Sequence, residues 1–116
     1  MSAPNSYIPD RGDLVWLNFT PRAGREQAGH RPALVISPKV YNRKVGLAVC
    51  CPISSQIKGY PFEVILPKGL SVTGSILADH LKNLDWRSRN AVFKSKVPKV
   101  VLNEVLEKIS ALLFEN

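Results

Sequence analysis

Most of the chain alternates short apolar runs with turn-forming residues, and only its last segment carries a helical spacing. Residues 13–19 (DLVWLNF) are rich in β-formers and predict a first strand. Residues 32–37 (PALVIS) predict a second, ended by Pro38, which cannot donate to a ladder. Residues 41–46 read as a connection, with Asn42 and Gly46 as turn formers. Residues 47–53 (LAVCCPI) predict a third strand closing near Pro52, followed by a polar loop over 54–60. Residues 62–66 predict a fourth strand. Residues 74–84 read as one strand and then a bend, and residues 91–94 as a short final strand.

After Pro98 the period changes. Val101/Leu102, Val105/Leu106, Ile109 and Leu112/Leu113 fall on one face of a helix over about 98–114. Glu104 and Lys108 stand four apart, a favourable helical pair. Residues 1–11 show no period and predict a loose arm. The pattern implies one domain over 1–116, mainly β, built as a small barrel of strongly bent antiparallel strands with a C-terminal α-helix. The expected core is Leu14, Trp16, Leu34, Ile36, Val49, Cys51, Val64, Leu66, Ile76 and the helix stripe.

Composition adds a sign. Sixteen Lys and Arg against nine Asp and Glu give a net charge of +7, which suits a polyanionic partner. The two cysteines are adjacent, so on a strand they face opposite ways and are poorly placed to bridge each other. No His/Cys grouping has zinc spacing, no metal or cofactor is expected, and no apolar run approaches the ~18 residues of a membrane helix. The first residues lack the basic and apolar regions of a secretion signal, so a cytoplasmic protein away from membranes is expected.

The densest chemistry lies at residues 26–32 (EQAGHRP), where a carboxylate, an imidazole and a guanidinium precede the second strand. Pro32 restricts Arg31 to extended geometry, and a guanidinium there can fork onto two phosphate oxygens. His30 can move a proton near neutral pH, and Glu26 can act as a base or orient Arg31. If the second and third strands are neighbours, a Ser54 hydroxyl lies near Arg31. Asp79, His80 and Lys82 form a second polar group. Arg87 and Arg89 flank Trp86, a combination that can stack a base and hold a phosphate.

These residues leave three classes open. One is a metal-independent nuclease using the 2′-hydroxyl of RNA, since no carboxylate cluster resembles a two-metal site. The second is a non-catalytic, basic nucleic-acid-binding barrel. The third is an interaction module whose basic groove takes an acidic peptide.

Several segments narrow the choice. Residues 12–16 (GDLVW), 26–35 (EQAGHRPALV), 37–38, 41–42, 58–64 (KGYPFEV) and 77–79, with Trp86-Arg87, resemble the MazF/PemK family of toxin endoribonucleases, nearest its MazF branch. The likeness implies an SH3-like barrel, a homodimer, and metal-free cleavage of single-stranded mRNA that leaves a 2′,3′-cyclic phosphate and a 5′-hydroxyl. It implies a cognate antitoxin whose acidic tail covers the RNA groove. It assigns catalysis to Arg31, Ser54 and Glu26, with Ser54 standing where a threonine is usual. Substrate contacts are expected from Gln27, His30, Asn42 and Lys58. Further contacts are expected from Asp79, His80, Lys82, Arg87 and Arg89. A gyrase-targeting toxin of similar fold is the alternative within the same likeness.

Overall fold

A computed structural model of the chain describes residues 6–18 and 30–115. The order of elements is β1 (Asp13–Asn18), β2 (His30–Val35), α1 (Lys39–Val45), β3 (Ala48–Ser54), β4 (Glu63–Ile65), β5 (Ser75–Leu77), β6 (Lys82–Leu84), β7 (Val92–Lys96) and α2 (Lys99–Phe114). The strands pair as β4-β5-β3-β2-β1-β7, with β6 added to β3. Every ladder is antiparallel. This is the mainly β class with a C-terminal helix that the pattern predicts. Among the described residues no ladder joins β4 to β7.

β3 is the shared strand. Its first half pairs with β6, its middle with β2, and its last two residues with β5. A strand that changes partner along its length must bend, and the bend wraps the sheet around one core. That core joins Leu14, Leu34, Cys51, Val64 and Ile76 to Val101, Val105 and Ile109 of α2. Trp16 and Val49, expected in the core, are only partly buried against it. The opposite face is also covered: Val15, Leu17, Ala33, Val35, Ala48 and Cys50 pack with Trp86 and Ala91, flanked by Tyr7 and Ile8. Burial on both faces explains why β1 and β3 read as continuous apolar runs rather than alternating ones. The two thiols are free and buried, Cys50 on one face and Cys51 on the other. Burial pushes both up to about 12.

Three expectations change. Residues 41–46 are not a simple connection but most of α1, closed by Gly46 in the left-handed region with its N–H bonded to the Asn42 carbonyl. Arg43 and Lys44 in the last turn suit the negative end of that helix. Residues 74–84 form two strands, because the chain turns after Leu77 and β6 joins the other end of β3. The arm is not loose from Tyr7 onward. The Tyr7 hydroxyl donates to Asp13 at 2.6 Å, Pro9 is fully buried, and Asp13 pairs with Lys96 at 2.6 Å.

Candidate nucleic-acid interface

Arg31 and His30 lie on β2 itself, opposite Leu17 and Asn18 of β1. Both are exposed, so the strand entry delivers them to the surface as expected. The order of the chain explains this: Ala33-Leu34-Val35 are fully buried and fix the strand, leaving its first residues to project past the core edge. Arg31 lines an open cleft of about 390 Å³ with Trp16, His30, Ile53, Ser55 and residues 71–73. A second depression, lined by Val92 and Lys94, shares Trp16 and His30 with the first, so the two adjoin at those side chains. The Trp16 and His30 rings meet at 6.5 Å, tilted by 56°. The cleft thus combines a guanidinium, an ammonium, an imidazole and an aromatic face, which is the chemistry of single-strand binding.

Ser54 lies next to this cleft rather than on its lining. The β2–β3 ladder ends at Ala33/Pro52, and extending it two residues would set Arg31 opposite Ser54. The ladder stops short of that pair, and on its other side β3 takes up β5, where Ser54 pairs with Ser75. Ser54 lines a neighbouring depression of about 200 Å³ with Gln56, Lys58, Tyr60, Glu63, Asp79 and His80. Its hydroxyl accepts the Gln56 N–H at 3.0 Å. Gly74 makes the close approach of β5 possible: a Cβ there would sit 2.3 Å from the Ser54 carbonyl oxygen, and its φ is +124°. Consecutive residues Ser54 and Ser55 therefore open into two adjoining depressions, and the strand end is the wall between them.

Lys58, Asp79 and His80 are brought together with Ser54. The Tyr60 hydroxyl donates to Asp79 at 2.7 Å, and that bond is the main reason the phenol is pushed up to about 12. His80 Nε2 stands 3.8 Å from Asp79 Oδ1. Glu63 is held below the usual carboxylate range, chiefly by the Lys58 N–H.

Other expected contacts separate from the cleft. Asn42 is fully buried; its amide donates to the carbonyls of Pro9 and Ser37 and its oxygen accepts the Ser37 hydroxyl. It is a structural tie, and it cannot reach a ligand. Trp86 is only 5% exposed, with Nε1 donating to the Asn42 carbonyl, so it is no stacking platform for a base. Arg87 lies over the Trp86 ring at 4.7 Å and faces the Val45–Leu47 turn. Lys82 pairs with Cys50. Cys50 is four residues, about 13 Å at strand rise, from Ser54, and Arg87 lies farther off, beyond the start of β3. Arg89 instead bonds the Asn18 carbonyl at 3.3 Å, which places it beside the β1 end facing His30. Glu26 and Gln27 lie outside the described residues.

Sequence reasoning missed Trp16 and Lys94 as surface groups. Trp16 has the parity of a core residue and is half in the core. Lys94 is the extra residue of an irregularity between the Leu14/Ser95 and Val15/Phe93 pairs. Such a bulge re-aims a side chain, and no spacing in the sequence announces it. Among the described residues no three His, Cys, Asp or Glu side chains converge as a metal-ligand group, and no helix is long and apolar enough to cross a membrane.

Comparison with known proteins agrees with this geometry. Residues 10–113 match the model of the PemK-like, MazF-like toxins of type II toxin–antitoxin systems. The chain is 49% identical over 107 residues to the endoribonuclease toxin MazF of Escherichia coli K12, covering 92% of this chain and 96% of that protein. It is 32% identical over 108 residues to the E. coli endoribonuclease PemK, covering 90% and 81%. The MazE–MazF crystal structure from Deinococcus radiodurans superposes with a TM-score of 0.89 at 56% identity, covering 95% of this chain and 99% of that one.

Proposed function

The chain belongs to the PemK-like, MazF-like toxins of type II toxin–antitoxin systems and is an endoribonuclease, and from that premise we propose that it cuts single-stranded mRNA without metal. The observation that carries the proposal is the exposed Arg31 on a rigid strand, in a basic, aromatic cleft that adjoins the Ser54 hydroxyl.

The chemistry follows from what those groups can do. The 2′-hydroxyl oxygen attacks the neighbouring phosphorus while its proton passes to a base. The bond from phosphorus to the 5′-oxygen breaks, and that oxygen leaves with a proton. The products are a 2′,3′-cyclic phosphate and a 5′-hydroxyl, so no water or oxidant is consumed. Charge builds on the non-bridging oxygens, where the Arg31 fork stabilises it most. The Ser54 hydroxyl, beside the cleft, holds the same phosphate from its other side. Glu26, His30 and Asp79 are the candidate proton carriers.

RNA runs along the cleft past Lys94, Trp16 and His30, with Trp16 offering a face to a base and Lys94 a charge to a phosphate. The depression beside Ser54 takes the next nucleotide against Lys58, Asp79 and His80. An acidic antitoxin tail competes for the same cationic surface, and the toxin acts as a homodimer. The test incubates purified protein with a long RNA in chelator and maps the ends. Cyclic phosphate ends are expected. Binding without cleavage would reduce the site to a nucleic-acid-binding surface, and 3′-hydroxyl ends would exclude attack by the 2′-oxygen.

A further inference from the structure

We propose that Glu63 is a positioning residue for RNA, the group that shapes the 56–60 loop into one wall of the depression beside Ser54; this rests on the endoribonuclease reading above. One carboxylate makes two bonds to that wall and a third to β5. Its Oε2 accepts the Lys58 N–H at 2.8 Å and the Ser75 hydroxyl at 2.9 Å, and its Oε1 accepts the Gly59 N–H at 2.6 Å. The Glu63 N–H donates to the Tyr60 carbonyl at 3.1 Å. Two successive N–H groups can turn toward one anion because Gly59 adopts φ +81°. The turn so formed carries Tyr60 to within 2.7 Å of Asp79. The carboxylate therefore decides where Lys58 and Tyr60 stand relative to Ser54 and Asp79.

The apolar core makes no use of this carboxylate, whose one buried partner is the Ser75 hydroxyl. β4 is held by Val64, which is buried, and by Phe62 packed against the core, while the 56–60 loop belongs to no strand. The loop's placement depends on bonds to a half-buried anion, and such bonds to charged acceptors are the strong kind. Removing the carboxylate frees the loop and leaves the sheet. Ser54 stays in its ladder with β5, so the reacting groups keep their places and the cost falls on substrate binding.

The test measures three quantities for the wild type, Glu63→Ala and Glu63→Gln. They are amide exchange at Lys58 and Gly59, the Kd for an oligonucleotide carrying a 2′-deoxyribose at the cut site, and kcat and KM on the cleavable RNA. Glu63→Ala is expected to lose protection at both amides and to raise Kd and KM about tenfold or more, with kcat within about threefold. Glu63→Gln, with one oxygen left to accept, is expected to recover part of the protection and of the affinity. A purely structural role would lower the melting temperature and leave KM in place. Unchanged Kd and KM in Glu63→Ala, or retained protection at both amides, would overturn the proposal. Should Glu63→Ala not fold, Glu63→Gln decides alone: a wild-type Kd there is the overturning result. A wild type that binds the oligonucleotide but cuts no RNA would refute the endoribonuclease reading, while exchange and Kd would still judge Glu63.

Discussion

Replacing Gly74 by alanine tests how the site is held. Gly74 combines φ +124° with a backbone contact that leaves no room for a side chain. Backbone strain for an L-residue in that region costs about 1–3 kcal/mol. The added Cβ would lie 2.3 Å from the Ser54 carbonyl oxygen and must retreat beyond 3.0 Å, so β5 has to move away from β3 by most of an ångström. That loosens the short Ile53/Ile76 and Ser54/Ser75 ladder, at about 1 kcal/mol for each bond weakened. The sum is about 3 kcal/mol, which for a domain of this size lowers the melting temperature by about 10–15 °C. The same shift displaces Ser54, and an ångström of misplacement at a reacting group costs about a hundredfold in rate. Thermal melts at fixed protein concentration and initial rates on a fluorogenic RNA, taken well below the melting point, read both effects. A Gly74→Ala protein that melts within about 2 °C of the wild type and cleaves at full rate would refute the reasoning.

Other expectations follow from the placement of charge and burial. Arg31→Lys keeps the charge but loses the fork, so RNA affinity should largely survive while kcat falls by about a hundredfold, read in single-turnover cleavage. Lys94→Ala should flatten the plot of log Kd against log salt by about 0.7 for a single strand, whereas Lys82→Ala, on β6 and outside the cleft lining, should leave the slope unchanged. Both thiols, pushed up to about 12 by burial, should resist iodoacetamide at neutral pH in the folded protein and react once it is denatured, as mass spectrometry would show. Raising the pH toward that value should speed native labelling, because the thiolate is the reactive form.

Much of this was legible in the residues, for identifiable reasons. The strands of β1, β2 and β3 and the helix α2 announce themselves through apolar runs and a 3.6-residue period, and all four form. The strand-entry position of Arg31 follows from the apolar run that starts at Ala33. What the sequence hid depends on distant parts of the chain. Asn42 looks like a turn former or a ligand contact, and only the fold shows that Pro9 and Ser37 use up its amide. Trp86 and Trp16 exchange the roles their neighbours suggest: arginines flank the buried ring, while an apolar strand carries the one in the cleft. Lys82 looks like a partner of His80 in sequence, but the turn after Leu77 sends β6 to the first half of β3. Strand adjacency sets Ser54 near Arg31, but the β2–β3 ladder ends at Ala33/Pro52, and Ser54 lines the next depression.

The central claim is that Arg31 stabilises an RNA phosphate under attack by its own 2′-hydroxyl. The most direct measurement is end-group analysis by mass spectrometry of a defined RNA cut in EDTA by the wild type and by Arg31→Ala. The account predicts 2′,3′-cyclic phosphate ends with the wild type and intact RNA with a folded Arg31→Ala. Cyclic phosphate ends at equal rates from both proteins would contradict it.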